Sequence, residues 1–359
     1  MRVLFLNKYT ALGPSSRYRV LQFLPYLEKR GIEFTVHALH DDNYLASRYS
    51  GAGTSPFYLA QRMLSRFAVL TTVSRYDLVF IQKEMLPHFI DLPEWFLWRT
   101  GVRYVVDLDD AIHLMYPDGL LKGKIPRVLS RAHLVLAGNR YLEDYARRYN
   151  ENVVFFPTVV DTDKMHPGHP RDSAESRSVV AGWMGTPETV KYLNEIVPAL
   201  EAAVERVPLS LLVVGAPAPA TRALNVSTRP WSEAAEASDL RAMDIGLMPL
   251  ADDEWSKGKC ALKLLQYMSA GVASVTSPAA SAPEFVRDGE NAWIARDVNE
   301  WRDRIDRLAR SASLRAEMGA RARVTVEEGY SLRVWGPRFV DALEWAAGDG
   351  RTPLPWKQR

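Results

Sequence analysis

Short apolar runs alternate with helix-length amphipathic segments along the whole chain, a rhythm typical of α/β folds built on parallel sheets. Parallel strands need long crossover connections, usually helices that cover both sheet faces. The predicted strands are residues 3–6, 33–38, 78–82, 103–108, 134–137 and 153–156, then 179–184, 210–214, 245–249, 273–276 and 292–294. The predicted helices include 17–30, 59–71, 188–206, 259–270 and 298–309. The sequence therefore predicts two doubly wound α/β domains.

A segment rich in Pro, Gly, Ser and charge, residues 166–178, has no periodicity and is a candidate linker. The expected domains are residues 1–165 and 179–330, and the chain of 359 residues is long enough for two full cores. Residues 331–359 are expected to form a C-terminal helix and tail that pack back on the first domain. Two such domains should face each other across a cleft, with ligands beyond the carboxyl ends of the strands.

Composition excludes several classes of function. The formal net charge of +2 gives no reason to expect a nucleic-acid partner. The single cysteine, Cys260, cannot form an internal disulfide and fits a reducing cytoplasm. The sequence holds no run of 18 apolar residues and opens on a strand rather than on a signal-peptide pattern. We expect a cytoplasmic protein, at most peripheral to the inner face of the cell membrane.

Residues 259–271 carry two lysines on a predicted helix that ends at a glycine. At helical spacing, Lys259, Lys263, Gln266, Tyr267 and Ala270 share one face. Two lysines near a helix start would add their charge to free backbone N–H groups and to the helix dipole. This pattern predicts a binding site for a phosphorylated ligand. The alternative is that the lysines lie on a solvated helix face.

With this helix, an ordered set of short motifs resembles the GT-B glycosyltransferases of the GT4-like group (glycosyltransferase group 1). The motifs after the candidate linker are GWMGTP at 182–187, LLVVG at 211–215, DLRAMDIGLMPL at 239–250, SP at 277–278 with Glu284, and DGENA at 288–292. FPTVVD at 156–161 resembles the segment that precedes the interdomain linker in that group. The resemblance implies two Rossmann-like domains, with the nucleotide sugar bound by the second and the acceptor by the first.

The resemblance also implies a sugar transfer that needs no metal and no cofactor, with retention of anomeric configuration and with a UDP-sugar favoured over a GDP-sugar. Fixed cations and backbone amides would stabilise the departing phosphate, and Lys263 is the expected catalytic cation. In one respect the sequence departs from the group: Gly258 and Gln266 stand where two glutamates are usual. The candidate donor-binding residues are Gly13, Arg17, Gly185, Gly258, Lys259, Lys263, Gln266 and Glu284.

Polar residues also follow the strands of the first half. Asp109 and Asp110 end a predicted strand and are candidates to orient an acceptor hydroxyl or to act as a base. A metal site, and helix caps beside a buried Asp107, are the alternatives. The candidate acceptor-binding residues are Arg19, Lys83, Glu84 and Asn139.

Aromatic and basic residues alternate in 57–75 and 92–99, where core packing is favoured over contact with a membrane. We therefore predict a glycosyltransferase that acts on a hydroxyl of a small or lipid-linked acceptor in glycan or polysaccharide biosynthesis. The alternatives are a non-catalytic nucleotide-sugar or glycan-binding protein and a nucleotide-sugar epimerase of the same fold.

Overall fold

The computed structural model describes residues 1–49, 51, 53–168, 178–348, 354 and 356, so residues 169–177 of the predicted linker lie outside the described residues. The strands are β1 (Arg2–Asn7), β2 (Glu33–Ala38), β3 (Leu78–Gln82), β4 (Tyr104–Leu108), β5 (Leu134–Ala137), β6 (Val153–Phe155), β7 (Val179–Met184), β8 (Leu209–Val214), β9 (Asn225–Arg229), β10 (Ile245–Met248), β11 (Ala273–Thr276) and β12 (Trp293–Ile294). The α-helices are α1 (Pro14–Arg19), α2 (Leu24–Lys29), α3 (Asp42–Tyr49), α4 (Pro56–Leu70), α5 (Leu92–Arg99), α6 (Lys124–Arg131), α7 (Arg140–Arg147), α8 (Val190–Val204), α9 (Glu233–Arg241), α10 (Glu254–Lys257), α11 (Leu262–Ser269), α12 (Ala282–Phe285), α13 (Val298–Arg310), α14 (Ala312–Gly329) and α15 (Leu332–Ala347).

The chain divides into two compact units. Unit 1 comprises Met1–Thr158, Gly258–Cys260 and Leu332–Arg359, and unit 2 comprises Val159–Lys257 and Ala261–Ser331. None of the helices in the described ranges is long and apolar enough to cross a bilayer.

Unit 1 is built on a six-stranded parallel sheet in the order β2-β1-β3-β4-β5-β6. Helix α15 packs on this sheet through Phe339, whose ring stacks on Phe23 with a centroid distance of 4.6 Å. Phe5 and Phe80 of the sheet also contact Phe339. The strand order reverses direction between β1 and β3, and ligands of open α/β sheets bind at such a switch point.

Unit 2 is also a six-stranded parallel sheet, in the order β12-β11-β10-β7-β8-β9. Read from β9, this is the strand order 3-2-1-4-5-6 of the Rossmann dinucleotide-binding fold. Its switch point lies between β7 and β10. The α/β class and the two Rossmann-like sheets expected from the sequence are therefore confirmed.

Every predicted strand is present to within one residue at each end, and most of them are buried parallel strands that read as continuous apolar runs. The edge strand β9 was not predictable in this way, since most of its residues are polar and exposed. The single helix predicted over 17–30 is wrong. A 3₁₀ turn at Leu21–Phe23 separates α1 from α2, and Pro25 in the first turn of α2 has no N–H to continue an earlier helix.

The lysine-bearing helix begins at Leu262, three residues later than predicted. Ala261 precedes it in the left-handed region, with φ of +47°, so the helix cannot extend back to Lys259. The prediction that Lys259 and Lys263 share one helix face is therefore wrong. Gln266, Tyr267 and Ala270, predicted on that polar face, are buried.

Candidate functional sites

Charged side chains follow three neighbouring strands of unit 1 at the edge that holds its switch point. Lys8 follows β1, Lys83 follows β3, and Asp109 and Asp110 follow β4. The Nζ atom of Lys83 lies 3.3 Å from Oδ1 of Asp109 and also donates to Asp110. Lys259, which belongs to unit 1, brings its Nζ to 3.9 Å from Oδ1 of Asp110. We call these five residues the charged cluster.

Lys83 resolves the repulsion between the adjacent carboxylates of the charged cluster. Burial opposes the charged form of Lys83, but Asp109 and Asp110 outweigh it and raise the pKa of Lys83. Burial would likewise raise the pKa of Asp110, yet Lys83 and Lys259 lower it. Asp110 is therefore ionised at neutral pH. In the described part of the chain, no group of three His, Cys, Asp or Glu side chains converges as a metal site would require.

Asp107 and Arg19 form a buried ion pair beneath the charged cluster. The Arg19 guanidinium bonds both carboxylate oxygens of Asp107, at distances of 2.5–3.1 Å, and also donates to the carbonyl of Phe156 at 2.8 Å. Both side chains are about 1% exposed. The structure thus has the buried Asp107 that was one alternative for the acidic cluster. It favours a structural role for Arg19, which the sequence suggests as an acceptor contact.

Two other candidate acceptor residues have partners that fix their positions. Glu84 is buried, pairs with Lys124 and accepts from the Tyr116 hydroxyl at 2.9 Å. Asn139 caps α7, because its Oδ1 accepts from the Leu142 amide at 2.9 Å. These contacts hold the loops after β3 and β5, and an acceptor role for either residue stays a prediction.

Gly13, Arg17 and Gly258, predicted to bind the donor, lie in unit 1. A Cβ at Gly13 would overlap the side chain of Tyr9, and one at Gly258 would lie 2.6 Å from the Ala111 amide nitrogen. Arg17 is 8% exposed and donates to the carbonyl of Ala11 at 3.0 Å. Close packing therefore accounts for both glycines without a ligand.

In unit 2, Trp183 and Lys263 meet at the switch point between β7 and β10. The Lys263 ammonium lies 4.5 Å from the centroid of the buried Trp183 ring, within range of a cation–π interaction. The Tyr267 hydroxyl accepts from the Met184 amide at 3.0 Å and lies 3.3 Å from the Leu247 carbonyl. Tyr267 thus links the ends of β7 and β10, the two strands between which the strand order reverses.

The other candidate donor residues of unit 2 differ in exposure. Gly185 follows β7, where a Cβ would lie 2.9 Å from Oγ1 of Thr189 and would also overlap the Trp183 ring. Gln266 is 3% exposed within α11. Glu284 is exposed on α12. Gly185 and Lys263 therefore lie by the switch point, while the donor roles of Gln266 and Glu284 stay predictions.

Lys8 is not among the site residues predicted from the sequence, although it has the same position relative to a strand that identifies Lys83 and Asp109. Each of these residues directly follows a buried strand. The strand order, which brings the ends of β1, β3 and β4 together, is not encoded locally.

Comparison with known proteins agrees with this architecture. Residues 176–311 match the family model for glycosyl transferases group 1. A search of the curated proteins gives no match. Among solved structures, HepE from Anabaena has 14% identity and a TM-score of 0.72, with 96% of this chain and 99% of HepE covered. Sucrose-phosphate synthase from Thermosynechococcus elongatus has 12% identity, a TM-score of 0.67 and coverage of 97% and 99%.

A glycosyltransferase from Rickettsia africae gives 12% identity, a TM-score of 0.66 and the same coverage of 97% and 99%. At these identities the likeness to solved structures concerns the fold, and the family model concerns residues 176–311. The chain therefore has the two-domain GT-B fold, and residues 176–311, most of which lie in unit 2, match the glycosyl transferases group 1 model.

Proposed function

We propose that this enzyme transfers a sugar from a UDP-sugar, bound by unit 2, to a hydroxyl of an acceptor bound by unit 1. The observation that carries the proposal is the position of Lys263 beside Trp183 at the switch point of the group 1 domain. HepE from Anabaena, which has the same fold, is known in complex with UDP-glucose, and this supports UDP as the nucleotide.

Lys263 is proposed to act on the diphosphate. As the bond from the sugar to the diphosphate breaks, negative charge develops on the departing phosphate, and a fixed cation stabilises it. Contact with the Trp183 ring, itself fully buried, would hold the ammonium in position without neutralising its charge. An ammonium held in this way can contact the departing phosphate.

The proposed role of Lys263 is tested by the affinities of UDP and uridine. Lys263→Ala should weaken UDP binding about 10- to 100-fold and leave uridine binding nearly unchanged, because only UDP carries the charge that the lysine contacts. Lys191→Ala is the matched control, since Lys191 is an exposed lysine of unit 2 that also lies over a tyrosine ring, that of Tyr192. Equal losses for UDP and uridine would exclude a role in binding the diphosphate.

Asp109 and Asp110 are proposed to orient the acceptor hydroxyl. An efficient general base has a pKa near the working pH, whereas Lys83 and Lys259 keep the pKa of Asp110 low. Asp110 is therefore better suited to accept a hydrogen bond from the hydroxyl than to remove its proton. Asp110→Asn should raise the acceptor KM more than it lowers kcat, in an assay of UDP release. A pure loss of kcat would instead indicate base catalysis.

The reaction itself is tested by UDP release from UDP-glucose with a panel of hydroxyl acceptors. We expect faster release than from GDP-sugars, retention of the anomeric configuration by NMR of the product, and no loss of rate in EDTA. Isomerised UDP-sugar without any acceptor would indicate the epimerase alternative. Tight UDP binding without turnover of any donor would contradict the proposal.

We further propose that unit 1 contacts a membrane that carries a lipid-linked acceptor. The sequence favours core packing for the aromatic residues in 57–75 and 92–99, yet Phe57 is 80% exposed, Leu64 is 69% exposed and Trp98 is 49% exposed. Such side chains on α4 and α5 can enter the boundary between headgroups and acyl chains. Phe57→Ser/Leu64→Ser should abolish sedimentation with anionic vesicles; unchanged sedimentation, or none by the parent protein, would contradict the contact.

A further inference from the structure

Lys8 lies at the switch point of unit 1, directly after β1 and beside the end of β3. Its backbone is held on both sides, because its amide donates to Oε1 of Gln82 at 3.0 Å and its carbonyl accepts from the His40 amide at 3.0 Å. Gln82 is fully buried and also accepts from the Ser16 hydroxyl at 2.7 Å. The side chain of Lys8 therefore starts from a rigid point at the place where ligands of such sheets bind.

The other cations of the charged cluster are paired, whereas Lys8 is not. Lys83 contacts both Asp109 and Asp110, and Lys259 approaches Asp110. Within the described ranges of the chain, no carboxylate lies within 4 Å of the Lys8 ammonium, which lies 5.5 Å from the centroid of the Tyr9 ring. The cluster thus combines three cations with two carboxylates and has one positive charge in excess.

The electrostatic surroundings leave Lys8 able to bind an anion at neutral pH. Burial and the neighbouring Lys83 lower the pKa of Lys8 to about 8, although Glu84, Asp110 and Asp109 oppose the shift. Lys8 is therefore still mostly protonated at pH 7. A half-buried ammonium with little competing water binds an anion more strongly than an exposed one does.

Aromatic rings line the same end of the sheet. Tyr9, the residue after Lys8, stacks on Tyr44 with a centroid distance of 6.3 Å, and Tyr44 stacks on His40 at 3.9 Å. Ligand sites typically combine such apolar walls with a few placed charges. Lys8 with the partly exposed rings of Tyr9 and Tyr44, behind which the His40 ring is buried, therefore offers a surface for an organic ring that bears one negative charge.

We propose that Lys8 is a specificity-determining residue of the acceptor site, which selects acceptors whose sugar carries a carboxylate or a phosphate. This inference deepens the proposed function and depends on unit 1 being the acceptor side.

The test measures binding of three probes by calorimetry: methyl glucoside, methyl glucuronide and glucose 6-phosphate. The parent protein should bind at least one anionic probe about tenfold more tightly than the glucoside, as expected for one charge-assisted hydrogen bond. The better anion identifies the group as carboxylate or phosphate. Lys8→Met should abolish this preference without changing UDP affinity, Lys8→Arg should retain it, and Lys122→Met, at an exposed lysine of the same unit, should have no effect.

Equal affinity of the parent protein for all three probes, binding of none of them, or an undiminished preference in Lys8→Met would overturn the inference. The proposed function fails separately. If Lys8→Met loses the anion preference but the parent protein transfers no glucose from UDP-glucose, the anion site is supported and the proposed function is wrong. Thermal unfolding of each variant checks that the fold is retained.

Discussion

Removal of Arg19 separates a structural role from an acceptor-binding role. In Arg19→Met, the Asp107 carboxylate stays buried without its cation, and the Phe156 carbonyl loses its donor. Breaking a buried ion pair on one side costs about 3–5 kcal/mol, and the unpaired carbonyl adds to this cost. We therefore expect the free energy of unfolding of unit 1 to fall by about 4 kcal/mol, a large part of the usual 5–15 kcal/mol.

Hydrogen exchange followed by mass spectrometry measures this loss in each unit separately. Amides of β4, which carries Asp107, should exchange up to about a thousandfold faster in Arg19→Met, since each 1.4 kcal/mol is a factor of ten. Amides of β10 in unit 2 serve as the internal reference. The melting temperature of unit 1 should fall by about 10 °C, at roughly 2–4 °C per kcal/mol for a domain of this size.

Two further variants test the cause of this loss. Arg19→Met/Asp107→Leu removes both charges and should recover at least half of the lost stability, because a buried ion pair can be replaced by apolar residues of similar volume. Arg30→Met removes the exposed pair with Glu344 in the same unit and should have no resolvable effect. The reasoning is refuted if Arg19→Met leaves β4 exchange unchanged. If the acceptor KM rises while β4 exchange is unchanged, Arg19 binds the acceptor instead.

Three more outcomes follow from packing and burial. Gly258→Ala would bring a Cβ to 2.6 Å from the Ala111 amide nitrogen, so we expect a loss of about 1–3 kcal/mol in thermal unfolding, and an unchanged melting curve would contradict that contact. Tyr267→Phe leaves the Met184 amide without its acceptor and should destabilise unit 2 by about 1–3 kcal/mol. Hydrogen exchange of β7 amides, with β1 amides as reference, measures this loss. Equal exchange rates in the parent protein and in Tyr267→Phe would show that the hydroxyl contributes nothing. Cys260 is 8% exposed and burial raises its pKa, so Ellman's reagent should react with it only after denaturation; fast reaction in the folded protein would contradict its burial.

The sequence predicts most strands well because their residues are buried on both faces and read as continuous apolar runs. The buried strands 78–82 and 134–137 match residue for residue, whereas the exposed polar edge strand Asn225–Arg229 has no such pattern. Helix boundaries are less predictable. The start of the lysine-bearing helix depends on the positive φ of Ala261, a conformation that the local sequence of good helix formers does not signal.

The candidate site was predictable only in part. Asp109 and Lys83 are recognisable because each follows a strand, and the contact between them is what the structure adds. The roles expected for Arg19 and Gly13 rest on residue type within a loop. That loop, residues 12–19, contains neither Asp107, which is the buried partner of Arg19, nor Tyr9, whose side chain packs against Gly13.

The sequence by itself determined the α/β class, the two sheets and the residues that end each strand, since these depend on local periodicity and burial. Only the tertiary structure decided which strand ends meet. It assigned Lys259 to unit 1 beside Asp110 and Lys263 to unit 2 over Trp183, although four positions separate the two lysines. It also left Lys8 as the excess cation at the reversal between β1 and β3. The physical reason is that electrostatic interactions depend on distances in space, and strand order fixes those distances only when the sheets form.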